Sequence, residues 1–184
     1  PHNNAVQETH WRQFYEVAWY FRLEFIRQKI AEGEKNAMRL IHLLEQQERK
    51  SVLSFDDQAK TYRWKKHDFP KTLPSGTPAL KESSYQGSRL DIPFHVKTIY
   101  TNFILDYLQE IGDVDCIVEL GCGYGRNLFE IFDHGGQKTA YFGGELTDSG
   151  CALGDTLSLF TKDQNITFQK FDHTAPDLSW LPTC

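Results

Sequence analysis

Residues 116–129 read CIVELGCGYGRNLF, and this stretch decides the fold. Its first half is a short apolar run with β-branched residues, which is typical of a buried parallel strand. Gly121, Gly123 and Gly125 follow at alternate positions, where the backbone can turn sharply and approach a ligand without a Cβ in the way. A helix is expected next, with its free N–H groups and positive dipole end facing that ligand. The pattern predicts a strand, a turn and a helix of an α/β sheet, with a ligand site at the carboxyl end of the strand.

The spacing of the glycines narrows the choice of ligand. A dinucleotide-binding turn reads G-x-G-x-x-G, whereas here the third glycine comes one residue early. This spacing argues against a nicotinamide oxidoreductase. A P-loop is excluded because no Gly-Lys-Ser/Thr follows. An acid, Glu119, precedes the first glycine by two residues. A plain glycine-containing βα turn without a ligand remains open at this point.

Two later stretches read as further strands, and each ends in an acid. Residues 139–147 contain Glu145, and residues 166–173 contain Asp172. An acid about twenty residues past the glycine turn is where a nucleotide-binding α/β unit binds ribose hydroxyls. Either acid alone also reads as a solvated loop residue. Three successive strand ends that each carry an acid favour one shared site, with Glu145 as the ribose candidate.

Residues 118–125, VELGCGYG, resemble motif I of the class I S-adenosylmethionine-dependent methyltransferases, and the resemblance covers roughly residues 95–175. S-adenosylmethionine has no pyrophosphate but carries a sulfonium and an ammonium group, and an acid beside the turn suits these charges. The resemblance implies an α/β fold. We expect a Rossmann-like parallel sheet with flanking helices, of which this chain holds the first three strands only, preceded by an α-helical N-terminal region.

The resemblance also implies S-adenosylmethionine as the cofactor and a set of contacts for it. In that family an acid at the end of the third strand accepts a hydrogen bond from the adenine amino group, and Asp172 matches that position. The segment before the first strand often folds over the cofactor, and Arg89 is a candidate partner there for the methionine carboxylate. The predicted cofactor contacts are Glu119, Gly121, Cys122, Gly123, Gly125, Glu145, Leu146, Asp172, His173, Arg89 and Tyr85.

The expected activity is transfer of a methyl group to a small molecule or to a sugar or glycan hydroxyl. A hydroxyl acceptor needs a general base, and His173 and His95 are the candidates. The alternative is a catalytically inactive cofactor fold that serves as a binding or assembly module. A complete domain of this family has seven strands, so we expect the missing strands to come from a longer polypeptide or from a partner.

The chain divides by composition into two regions. Residues 1–94 are expected to be helical and loop-rich, with a helical hairpin that breaks near Gly33 and then a lid-like segment with several prolines. Residues 95–184 are expected to form the N-terminal half of the S-adenosylmethionine-binding domain. Its first helix, residues 96–111, has an apolar face for burial. That face comprises Ile99, Phe103, Ile104, Tyr107 and Leu108.

The charge and the cysteine content argue against several classes of binding site. The 184 residues have a net charge of −5, and residues 101–184 carry 4 Lys and Arg against 13 Asp and Glu. This acidic half argues against a broad nucleic-acid surface. The 4 cysteines lack metal-ligand spacing, so we predict no metal and reduced thiols, as in a cytoplasmic protein. No apolar run reaches the length of a membrane span.

Overall fold

The computed structural model describes residues 2–56, 58–59, 61–66, 80–85, 88–93, 98–134, 139–161 and 165–182. These residues form five helices and seven strands within the described part of the chain. The helices are α1 His2–Ala31, α2 Ala37–Lys50, α3 Thr98–Ile111, α4 Arg126–Asp133 and α5 Asp148–Ser158. The strands are β1 Ser51–Asp56, β2 Thr61–Lys66, β3 Leu80–Tyr85, β4 Ser88–Pro93, β5 Cys116–Leu120, β6 Ala140–Glu145 and β7 Ile166–Lys170.

The two N-terminal helices pack on each other through apolar side chains at helical spacing. Leu23 and Ile26 of α1 are buried, and Leu40, Ile41 and Leu44 of α2 are fully buried. The break between the helices comes at Gly33, whose φ of 104° is a left-handed value that glycine adopts without strain. No helix among the described residues combines the length and the apolarity that crossing a bilayer requires.

The segment after α2 differs from the expected loop-rich lid. Strands β1 and β2 form one antiparallel hairpin, and β3 and β4 form another. Residues 51–66 contain no proline and are rich in aromatic and β-branched residues, so nothing interrupts strand pairing there. Pro70, Pro74 and Pro78 fall between the hairpins, outside the described residues, and Pro93 ends β4, where a missing N–H is tolerated.

The second half of the chain forms the expected α/β unit. Strands β5, β6 and β7 are parallel and lie in that order, with Leu120 beside Gly144 and Glu145 beside Lys170. Helices α4 and α5 connect them and flank the sheet, so the predicted fold class is confirmed. The carboxyl ends of all three strands meet at one edge, which we call the rim and define by residues 119–125, 145–149 and 171–174.

The apolar face predicted for α3 is correct at two positions and wrong at two others. Ile104 and Leu108 pack against the core, but Phe103 and Tyr107 are 67% and 53% exposed. Strand β5 lies at the edge of the parallel sheet formed by the described residues. Both sides of α3 are apolar, so periodicity alone did not show which side faces inward. The side chain of Ile99 lies outside the described residues.

A buried ion cluster joins the N-terminal helices to the α/β unit. The guanidinium of Arg126 donates to Glu45 Oε1 of α2 and to Glu130 Oε2 of α4, both at 2.6 Å. Thr101 of α3 donates to the same Glu130 oxygen at 2.7 Å. Helices α2, α3 and α4 therefore share one network of charge-assisted hydrogen bonds. The network includes Arg126, the residue that follows the glycine turn.

Candidate functional site

The glycine turn is held to the sheet by its own backbone. Gly121, Gly123 and Gly125 have φ values of 75°, 59° and 76°, all in the left-handed region where side chains are disfavoured. The amides of Gly121 and Cys122 both donate to the carbonyl oxygen of Gly144, at 2.7 and 3.1 Å. The turn is therefore anchored to the end of β6, and its shape requires glycine at each of these three positions.

Aromatic rings of the protein itself approach the turn closely. A Cβ built on Gly121 would lie 3.3 Å from Nε2 of His173, and one on Gly123 would lie 3.0 Å from the ring of Trp19. A Cβ on Gly125 would lie 2.5 Å from ring carbons of Phe168. Packing within the protein is therefore a reason for these glycines. At Gly125 the packing of the core already demands the absence of a side chain.

The carboxylate of Glu145, the predicted ribose contact, is occupied by the protein. Glu145 is 7% exposed, and its Oε2 accepts from the amide of Gly123 at 3.0 Å. Its Oε1 accepts from the amide and the hydroxyl of Thr147, at 3.1 and 2.7 Å. Glu145 therefore fixes the glycine turn against the first turn of α5. A ribose would have to share the same oxygens.

Asp172, the predicted adenine contact, also has partners within the chain. Its Oδ1 accepts from the amide and hydroxyl of Thr174, at 2.9 and 2.6 Å, and its Oδ2 accepts from Arg12 at 2.6 Å. The bonds from Thr174, then the one from Arg12, lower the pKa of Asp172 to about 2. Its neighbour His173 is exposed, with its ring edge-on to Phe171 at 4.7 Å between centroids.

Glu119 differs from the other two acids because one of its oxygens is unused. Oε1 accepts from Asn127 Nδ2 at 2.6 Å, whereas Oε2 is buried and has no hydrogen-bond partner among the described residues. Burial raises the pKa of Glu119, and the hydrogen bond from Asn127 opposes that shift only in part. An acid held in this state costs stability, and a donor or a cation placed beside Oε2 would relieve that cost.

Helix α1 lies across the rim, which the sequence did not predict. Arg12 forms the ion pair with Asp172. The carboxylate of Glu16 accepts hydrogen bonds from the amides of Asp148 and Ser149 at the start of α5, at 3.0 and 2.7 Å. The ring of Trp19 covers Gly123 and packs edge-on against Tyr124. No pattern in the sequence indicated the surface on which this helix packs.

The two thiols near the turn are not suited to nucleophilic chemistry at neutral pH. Burial raises the pKa of Cys122, and it raises the pKa of Cys151 to about 12. Nearby carboxylates, including Glu145, act in the same direction on both. Both groups are therefore neutral thiols, and both are half-buried. Leu146, the remaining predicted rim residue, is half-buried.

For three of the predicted contacts, the side chain lies outside the described residues. Tyr85 ends β3 and Arg89 lies in β4, in the second hairpin, and their side chains lie outside the described residues. His95 lies outside the described residues altogether. Of the two candidate bases, His173 is thus the one whose ring is described, beside Gly121.

The state of Glu119 predicts an unusual pH dependence of stability. Its pKa is raised in the folded protein, so the unfolded chain ionises first as the pH rises. As the pH rises from the pKa of Glu119 in the unfolded chain to its pKa in the folded protein, the stability of wild type decreases. Above the folded pKa the contribution of this group stays constant. The Glu119→Gln variant lacks this loss, so its stability relative to wild type should improve from pH 4 to pH 7 in urea titrations.

The Asp172→Asn variant provides a control of opposite sign. Because the folded pKa of Asp172 is lowered, wild type gains stability from this group above its unfolded pKa and loses the gain as the pH falls toward 2. The stability of Asp172→Asn relative to wild type should therefore worsen from pH 2 to pH 5. A pH-independent difference for Glu119→Gln would contradict the burial of an unpaired carboxylate.

Comparison with known proteins adds little. No protein-family profile and no curated protein matches the chain. Among solved structures, a geranyl diphosphate methyltransferase in complex with GPP and sinefungin is 21% identical, with a TM-score of 0.35. The match covers 41% of this chain and 28% of that protein.

Proposed function

We propose that this chain is part of an S-adenosylmethionine-dependent methyltransferase that acts on a small molecule or on a sugar or glycan hydroxyl. The observation that carries the proposal is the buried, unpaired Oε2 of Glu119 beside a left-handed glycine turn at the rim. A cationic ligand that needs a carboxylate but no phosphate cradle suits this arrangement. The sequence resemblance of residues 118–125 points to the same ligand.

The residues of the rim would divide the work of binding and orientation. S-adenosylmethionine, when bound, supplies an activated methyl group. Glu119 would attract its positive charge, and Asp172 would accept a hydrogen bond from an amino group. His173 would accept the proton of an acceptor hydroxyl, since its exposed ring lies beside Gly121. Most of the rate enhancement would come from holding acceptor oxygen, methyl carbon and sulfur in line.

A second candidate function is a binding or assembly module that keeps the fold without catalysis. The observation that favours it is the occupied rim, where Glu145, Asp172 and the start of α5 already have partners within the chain. Apolar residues of α3 and β5, including Phe103 and Leu120, also contribute exposed apolar surface. Such a surface suits the missing strands or a protein partner.

Ligand binding to the full chain separates these functions. We expect S-adenosylhomocysteine to raise the melting temperature and to bind in calorimetry, and we expect NAD to do neither. Glu119→Gln should weaken binding of S-adenosylmethionine more than that of uncharged-sulfur S-adenosylhomocysteine, because only the former carries the sulfonium. Transfer of a labelled methyl group to acceptors then distinguishes an enzyme from a binding module. If neither S-adenosylmethionine nor S-adenosylhomocysteine binds while the fold stays intact, the proposal is contradicted.

A further inference from the structure

Three side chains of α1 contact the rim from one face of the helix. Arg12, Glu16 and Trp19 are spaced by four and three residues, so they lie above one another along the helix. Arg12 forms an ion pair with Asp172, and Glu16 accepts hydrogen bonds from backbone amides at the start of α5. The ring of Trp19 lies over Gly123. One helix therefore meets three separate parts of the rim at once.

These contacts use the same atoms that an adenosyl ligand would need. The Arg12 guanidinium donates to Asp172 as an exocyclic amino group would. The Glu16 carboxylate satisfies amides of Asp148 and Ser149 that would otherwise be open to an oxygen-bearing ligand. The flat ring of Trp19 covers the part of the turn that lacks side chains. Helix α1 and such a ligand cannot make these contacts together.

The two halves of α1 are held in different ways. Leu23 and Ile26 are buried with α2, and these contacts are apolar. The rim contacts of Arg12 are partly exposed, at 42% for its side chain and 29% for that of Asp172. Exposed ion pairs add little stability. Residues 12–19 could leave the rim while residues 23–31 stay packed, at the cost of exposing Ala18, which is buried, and Trp19, which packs against the core.

We propose that residues 12–19 of α1 are a displaceable cover that competes with an adenosyl ligand for the rim. This proposal rests on the proposed function. It assigns Arg12 and Glu16 a role in controlling access to the site, distinct from binding. The cover must open before the ligand binds, and the free energy of opening reduces the measured affinity. Weakening the cover should therefore tighten binding.

Calorimetry with S-adenosylhomocysteine tests the cover. The Arg12→Ala/Glu16→Ala variant should bind about tenfold more tightly than wild type, which corresponds to about 1.4 kcal/mol. Arg12→Ala alone removes only the partly exposed ion pair, so it keeps the fold and should show a smaller gain in the same direction. The matched control is Arg27→Ala/Glu24→Ala, an exposed ion pair on the same helix away from the rim, which should leave the affinity unchanged.

Hydrogen exchange gives a second readout. Saturating S-adenosylhomocysteine should speed amide exchange in residues 12–19 and leave α2 protected. Weaker or unchanged binding by the rim variants, or slower exchange in residues 12–19 with ligand, would overturn the cover while leaving the proposed function intact. Binding by the double variant but not by wild type would support the cover most strongly. Absence of binding by every variant would refute the proposed function and the cover with it.

Discussion

Replacing Arg126 with methionine is expected to destabilise the protein by about 3–5 kcal/mol. The guanidinium is the cation between Glu45 and Glu130, whose side chains are only 10% and 6% exposed. Burial alone would lower the pKa of Arg126, but its bonds to the two carboxylates raise it, so the residue stays charged. Methionine fills a similar volume without the charge. Glu45 and Glu130 would then lose their hydrogen bonds to the guanidinium in a place where both carboxylates are buried.

Urea unfolding measures this loss, provided that the slope of free energy against urea stays constant. The control is Arg27→Met, which removes an exposed pair with Glu24 and should cost less than about 1 kcal/mol. The double variant Glu45→Gln/Arg126→Met should recover part of the loss, because a neutral amide does not require a cation. A cost below about 1 kcal/mol for Arg126→Met would mean that water already solvates the cluster.

Replacing Gly125 with alanine is expected to cost about 2–5 kcal/mol, the second-largest effect. Left-handed backbone carries a penalty of about 1–2 kcal/mol for a residue with a Cβ, and Gly125 has a φ of 76°. The new methyl would also lie 2.5 Å from the ring of Phe168. That ring cannot move aside easily, because it also fills the space that side chains on Gly143 and Gly154 would need. Overpacking of this kind costs about 1–3 kcal/mol.

Gly112 offers a matched control for the Gly125 substitution. Its φ is 86°, close to that of Gly125, but a Cβ there would meet nothing within 4 Å. Gly112→Ala should therefore show the backbone penalty alone, and the difference between the two variants measures the contact with Phe168. Adding Phe168→Leu to Gly125→Ala should reduce that difference. Equal costs at Gly112 and Gly125 would contradict the packing explanation.

Local patterns were sufficient to predict the α/β unit. The apolar run before Gly121 and the glycine spacing each depend on neighbours within a few residues. Residues 51–66 form strands for equally local reasons, but the expectation of a loop-rich segment followed the prolines further along the chain. Pro70 and Pro74 interrupt structure only where they occur, so they gave no reason to deny strands to the residues before them.

Contacts between distant residues lay beyond the sequence. Arg12 and Asp172 are 160 residues apart, and Arg126 and Glu45 are 81 apart. A charged residue on a helix has the same pattern whether it faces solvent or a buried partner, so neither pairing could be predicted. The state of Glu119 was also hidden, because an unpaired oxygen is a property of everything packed around it.

The sequence by itself determined which residues form the parallel strands, the glycine turn and the helices, because these depend on local backbone preference and on the period of apolar residues. It also determined that three acids end three successive strands. Only the tertiary structure decided which partners each acid has within the chain. Packing brought α1 onto the rim, gave Glu145 and Asp172 partners within the chain and left Glu119 without one, since each outcome depends on which surfaces meet in space.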